Sequence, residues 1–153
     1  MILIEWRNNM EDLQEQINSL TSNKDARYFY HFTSFDANEI LENGLVVASP
    51  RWDESFLEFT YSELNIIDNV IEDNKSTKVK DNAYMIIAGV YKDDMDSFIR
   101  KLGEEEFAGI NYEGVAAPDY IVDTPHLMGY IDLSTRELVI NEFANVIGED
   151  FYL

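Results

Sequence analysis

A chain of 153 residues without cysteine holds thirty acidic residues against eleven basic ones, a formal net charge of −19 at pH 7. Its 46% hydrophobic and 13% aromatic content is that of a globular chain, and its length suits one domain with a single core. The absent thiols exclude disulfides and a thiolate zinc site. Acid spread along the whole sequence lacks the basic stripe of a nucleic-acid binder, so no direct nucleic-acid contact is expected and a basic protein partner is favoured.

No apolar run approaches the roughly 20 residues of a membrane helix. The opening MILIEWRNNMED lacks the basic and long apolar regions of a secretory signal, so a cytoplasmic location without membrane contact is expected. A short strand at Ile2–Trp6 precedes Met10, Leu13, Ile17 and Leu20, whose spacing predicts a helix near 9–21. Polar Thr21–Asp25 ends it, and a strand over 27–33 follows, carrying Tyr28 and Tyr30 ahead of His31. Asp36 with Glu39 has the form of a capping box for a helix to Asn43, and Gly44 supplies the stop. Leu45–Ala48 reads as a short extended run ended by Pro50.

Asp53 or Ser55 is expected to cap a longer helix carrying Phe56, Leu57, Leu64, Ile67, Val70 and Ile71. Residues 73–82 are a hydrophilic loop. Ala83–Tyr91 predicts a central strand, because both alternating sets are apolar. Met95, Phe98, Ile99 and Leu102 predict a helix closed by Gly103. The last third reads as β: short strands at Gly109–Tyr112 and Tyr120–Val122, then a hairpin with arms Leu127–Asp132 and Glu137–Phe143 turning through Leu133–Arg136. This order predicts an α+β fold in a single domain over 1–153. Neither GxGxxG nor GxxxxGK[ST] occurs, so neither familiar phosphate-cradling loop is expected.

Two segments carry a family resemblance. YFYHFTSFDANEILENGLVVAS, residues 28–49, resembles the first nucleotide-binding element of the ADP-ribosyltransferase superfamily, written Y/W-H-G-T/S and followed by a helix ending in G-L. Arg136-Glu137-Leu138-Val139-Ile140, followed by Asn145-Val146-Ile147, looks like the glutamate-bearing strand of the poly(ADP-ribose) polymerase and diphtheria-toxin-like (H-Y-E) branch. Ala83–Tyr91 with Tyr91-Lys92-Asp93 is similar to that branch's central strand. The resemblance spans residues 27–147 and leaves 1–26 as an N-terminal extension.

It implies a split mixed or antiparallel β-sheet core with peripheral helices, NAD⁺ as substrate and no metal. By the same resemblance, Glu137 would stabilise the transition state and orient a ribose hydroxyl. His31 would hydrogen-bond the adenosine ribose, the backbone at Phe32 would meet the nicotinamide carboxamide, and Thr33 or Ser34 would assist at a ribose hydroxyl. Tyr61 would stack on the nicotinamide, with Trp52 and Phe59 behind it, and Arg51 or Arg27 would reach the pyrophosphate. The size and acidity are similar to phage- or mobile-element effectors, including anti-CRISPR and toxin-like transferases that modify a protein, here a basic one such as a nucleic-acid-binding protein.

The residues alone leave plainer readings open. His31 also fits a strand-end residue with a satisfied hydrogen bond, Glu137 an exposed cross-strand partner, and Trp52 and Tyr61 core or rim aromatics. His126 reads as structural, and Glu142 falls on the opposite face from Glu137 by strand alternation. Phe32 stands where the family has glycine, so a Cβ and a ring are expected to crowd the dinucleotide. Thr135 stands two residues before the glutamate, which leaves the acceptor open. A second class is a non-catalytic acidic inhibitor that mimics nucleic acid.

Overall fold

The computed structural model describes residues 10–59, 83–103 and 120–147, with side chains from residue 13 onward. The expected elements at 2–6, 64–71, 73–82 and 109–112 lie outside the described residues. Helix α1, Met10–Leu20, presents Leu13, Ile17 and Leu20 at i, i+4 and i+7, all three buried. It ends at Thr21, whose hydroxyl donates to the Ile17 carbonyl at 2.7 Å.

Strand β1, Ala26–Thr33, pairs along its whole length with β4, Tyr84–Tyr91, from Ala26↔Tyr91 to Thr33↔Tyr84. β4 also pairs with β7, Leu127–Asp132, and β7 with β8, Leu138–Ile140. With β3, Leu57–Glu58, on the far side of β1, the order is β3-β1-β4-β7-β8, and every pairing is antiparallel. A smaller antiparallel sheet has the order β2-β6-β5, from Leu45–Val47, Tyr120–Val122 and Arg100–Lys101. The α+β class follows expectation, with antiparallel sheets.

The five-stranded sheet separates two apolar layers. On one face α1 covers Tyr28, Tyr30, Met85, Ile87 and Ile131. On the other, helix α2 (Ala37–Asn43) and the smaller sheet cover Phe29, Ile86, Ala88, Val90 and Leu127. β4 is central because Met85 to Val90 are buried on both faces. A bulge between Ile87 and Ala88 leaves Met128 as the extra residue of β7. Gly44, at φ 99°, ends α2 and turns the chain into the smaller sheet. A Cβ there would lie 2.7 Å from Ile121 Cδ1 and 2.9 Å from the Val122 carbonyl, so both conformation and space require glycine.

Two expected helices are corrected. Of the helix expected from Asp53 or Ser55, the part within the described residues is corrected: only α3, Trp52–Ser55, is helical, and Phe56 is already extended at φ −124°, ψ 155°. β1 offers an open edge there, which Leu57 and Glu58 pair, while Phe56 packs on Phe29 and Phe98 in the core. Edge hydrogen bonds and aromatic burial outweigh local helix propensity. The helix carrying Met95 to Leu102 is instead a 3₁₀ segment, Lys92–Ser97, with Asp94 out of helical geometry at φ −122°, ψ 21°. Aspartates at 93, 94 and 96 are poor helix-interior residues. Arg100 and Lys101 then join β6. Glu142 lies in a turn after β8, not on the strand. Among the described residues, no helix is long and apolar enough to cross a membrane.

Candidate functional site

The C-terminal end of β1 and the N-terminal end of β8 lie at the same end of the five-stranded sheet. The cross-strand row Thr33–Tyr84–Asp132 continues to Glu137, whose carbonyl accepts from Asp132 N at 2.9 Å. One step inward runs the row His31–Ile86–Tyr130–Val139. Alternation along the strands therefore puts His31, Thr33, Tyr84, Tyr130, Asp132 and Glu137 on one face. Thr33 and Glu137 are three strand spacings apart, about 14 Å.

The turn that delivers Glu137 is built by Asp132. Its carboxylate accepts from Ser134 N at 2.9 Å, Ser134 Oγ at 2.7 Å and Thr135 N at 3.3 Å. The Ser134 hydroxyl is the main reason that the Asp132 carboxyl sits below its ordinary pKa. Arg136 then takes φ 61° and Glu137 re-enters the ladder with an exposed side chain. Tyr130 donates to Asn38 Oδ1 at 3.0 Å and meets Tyr84 edge-on at 5.3 Å. Burial first, then Tyr84 and the charges of Asp132, Asp36 and Glu137, raise the Tyr130 pKa. Tyr84 and Asp132 thus lie on the sheet between β1 and Glu137, while Tyr130, one step inward, is buried against Asn38 of α2. Sequence reading missed all three. The Asp-x-Ser-Thr turn signal was there for Asp132, but only the strand register reveals the tyrosines.

His31 is half-buried against Phe56, with ring centroids 5.6 Å apart. Its Nδ1 lies 2.6 Å from the Ser55 carbonyl, which can only accept, so Nδ1 carries the proton and neutral Nε2 is an acceptor. Burial pushes its pKa down, partly offset by that carbonyl. Thr33 Oγ1 accepts from Phe35 N at 3.0 Å, leaving its O–H available to donate, and Ser34 is exposed. The expected crowding by Phe32 is corrected. Its whole side chain turns to the opposite face, edge-on to Tyr30 at 5.7 Å and against the α1 layer, so only its backbone remains near the His31 side.

Other candidate residues lie elsewhere. Trp52 packs 4.9 Å from the Phe29 ring, with the Arg27 guanidinium 5.1 Å over its indole. Phe29 precedes Thr33 by four residues, about 13 Å along the strand. Arg27 forks onto Glu58 at 2.7 and 2.8 Å. Arg51 is exposed and pairs with its neighbours Asp53 and Glu54. Phe59 is buried in the α1 layer beside Tyr30. Tyr61 lies outside the described residues. The site therefore gathers His31, Thr33 and Glu137, with Trp52 and Arg51 toward the far end of β1.

No family model, curated protein or solved structure matches the chain.

Proposed function

We propose that the chain is an NAD⁺-dependent mono-ADP-ribosyltransferase that modifies a basic protein, of the kind used by phage or mobile-element effectors. The carrying observation is that His31, Thr33 and Glu137 share one face at one end of a continuous sheet, joined by the row Thr33–Tyr84–Asp132–Glu137. The donor set fits the dinucleotide: an imidazole acceptor, a hydroxyl and an exposed carboxylate across about 14 Å, a span too long for one sugar. Bound NAD⁺ would supply a labile nicotinamide–ribose bond.

His31 Nε2 accepts from an adenosine ribose hydroxyl, and its tautomer is fixed for that by Ser55. The Phe32 backbone approaches the carboxamide, and Thr33 or Ser34 donates to a ribose hydroxyl. Glu137 stabilises positive charge developing at the ribose and orients a hydroxyl. Tyr61, which lies outside the described residues, has the stacking role by the resemblance alone, and Tyr84 lies between Thr33 and Asp132 on the sheet. Incubating the protein with labelled NAD⁺ and cell extract, alongside Glu137→Gln, tests it. Protein labelling by wild type and its loss of at least 100-fold in the variant is expected; equal labelling removes Glu137 from the chemistry.

A non-catalytic acidic inhibitor is the second reading. It is favoured by the exposed run Asp93, Asp94 and Asp96. Partner binding that weakens steeply with salt and ignores NAD⁺ would select it.

A further inference from the structure

One cation grips both ends of the short segment that sets the His31 tautomer. Arg27 and Phe29 lie on the same face of β1, and Glu58 stands opposite Phe29 on β3. The Arg27 guanidinium reaches diagonally to the Glu58 carboxylate and forks onto it at 2.7 and 2.8 Å. Its Cζ lies 5.4 Å from the centre of the Phe29 ring and 5.1 Å from that of Trp52. Arg27 thus touches Trp52 in α3 and Glu58 in β3, the two ends of segment 52–58.

That segment carries the group that fixes His31. Continued by two residues, the β1–β3 register puts Phe56 beside His31, and their rings meet at 5.6 Å. The Ser55 carbonyl then accepts from His31 Nδ1 at 2.6 Å. The ladder itself is short: Phe29 pairs with Glu58 and Tyr30 with Leu57, and Phe59 N donates to the Tyr28 carbonyl at 2.9 Å. Phe56 and Phe59 are buried in opposite layers, but apolar packing is non-directional. The Arg27 fork is directional, because a planar guanidinium fixes both carboxylate oxygens at once. It therefore sets where the segment lies along β1, and with that the place of the Ser55 carbonyl.

We propose that Arg27 is a positioning residue for His31: through Glu58 and Trp52 it holds the Ser55 carbonyl where that oxygen selects the Nδ1–H tautomer and leaves Nε2 as an acceptor. The role replaces the pyrophosphate contact that the resemblance implies for Arg27, whose Nε and Nη2 donors are already taken by Glu58. Its bearing on substrate rests on the NAD⁺ reading above, in which Nε2 accepts from a ribose hydroxyl. The tautomer itself is read without NAD⁺.

The test is long-range ¹⁵N spectroscopy of the imidazoles in the full chain at about pH 8, where neutral histidine predominates. The chain has two histidines, so the His31→Gln spectrum identifies the His126 signals. His126 Nδ1 lies 3.2 Å from the Gly89 carbonyl and touches nothing in segment 52–58 by hydrogen bond, which makes it an internal reference. Wild type should show His31 as the Nδ1–H form. Arg27→Gln and Glu58→Gln should each lower its ratio of Nδ1–H to Nε2–H by about fivefold, the upper end for a partly exposed ion pair. The two together should lower it no further than either alone, since one contact is lost in all three proteins. Arg27→Lys, which keeps the charge without the fork, should give an intermediate ratio. Arg51→Gln removes an exposed arginine beside the same segment and should leave the ratio unchanged. The proposal is overturned if neither single variant changes the His31 ratio, if their effects add, if Arg51→Gln lowers it as much, or if His126 changes in step, the mark of general loosening. Wild type that takes up no NAD⁺ would instead overturn the NAD⁺ reading and leave the tautomer result standing.

Discussion

Replacing Tyr28 with Phe isolates one buried hydroxyl that ties β1 to the segment after β8. The Tyr28 hydroxyl donates to the Val146 carbonyl at 2.6 Å and accepts from Asn23 N at 3.3 Å, and the residue is 5% exposed. Removing it strands the Val146 carbonyl in a buried place, which costs about 1–3 kcal/mol at pH 7. Burial also pushes the Tyr28 pKa up to about 12 from 10.0. In the unfolded chain the phenol releases its proton near pH 10, while the folded protein keeps it until near 12. Across that window the native state binds more protons, so stability falls as pH rises. Two units correspond to roughly 2.7 kcal/mol, present in full below pH 10 and lost by pH 12. The Phe variant has no such term. Urea unfolding of both proteins at pH 7, 9, 10 and 11 should therefore show a gap of about 1–3 kcal/mol at pH 7. That gap should close progressively above pH 10. Parallel curves over the whole range would rule out this role for the Tyr28 hydroxyl, as would a variant as stable as wild type at pH 7.

Other perturbations probe the segments that carry the site. Gly129→Ala drives a Cβ into the Val139 carbonyl, so β8 must separate from β7. A loss of about 2–4 kcal/mol is expected in chemical denaturation, and a loss under about 0.5 would contradict the close approach. Asn141→Ala removes the side-chain donor to the Thr124 and Leu127 carbonyls and the acceptor of the Phe143 N–H. It should cost about 2–4 kcal/mol and speed amide exchange at Phe143, whereas unchanged exchange would refute that role. His31, with its pKa held below the ordinary value by burial, resists protonation when folded. The unfolded histidine binds its proton near 6.5, so this contribution is complete above that pH and is lost as pH falls through the lower folded value. The His31 Cε1–H titration should have its midpoint below 6.5, and a midpoint at or above 6.5 would rule out the buried neutral imidazole.

What the sequence revealed and what it hid follow one physical division. Strands with a local signature were legible: β1 with its aromatic alternation, β4 with apolar residues on both faces, and the β7–β8 hairpin, whose Asp132 builds the turn from its own neighbours. Helix α2 was legible too, from Asp36, which accepts from Asn38 N, and Gly44. The Phe56–Leu57 and Phe98–Arg100 segments were misread because distant partners determine them. An open β1 edge captures Leu57 and Glu58, and β6 captures Arg100 and Lys101. The same applies to the site. His31 and Glu137 stood out as residue types, but their common face depends on three strand registers. The facing of Phe32 away from them, and the holding of the Thr124–His126 turn by Asn141, likewise come from pairings that no local pattern encodes.

In the proposed function, the Thr33–Glu137 end of the sheet receives NAD⁺. The most direct measurement is an NAD⁺ titration followed by backbone amide resonances, on wild type and Glu137→Gln. Saturable shifts should cluster at His31, Thr33, Ser34, Tyr84, Asp132 and Glu137 in both proteins, with nicotinamide released only by wild type. Shifts confined to residues around His126, or none at millimolar NAD⁺, would contradict it.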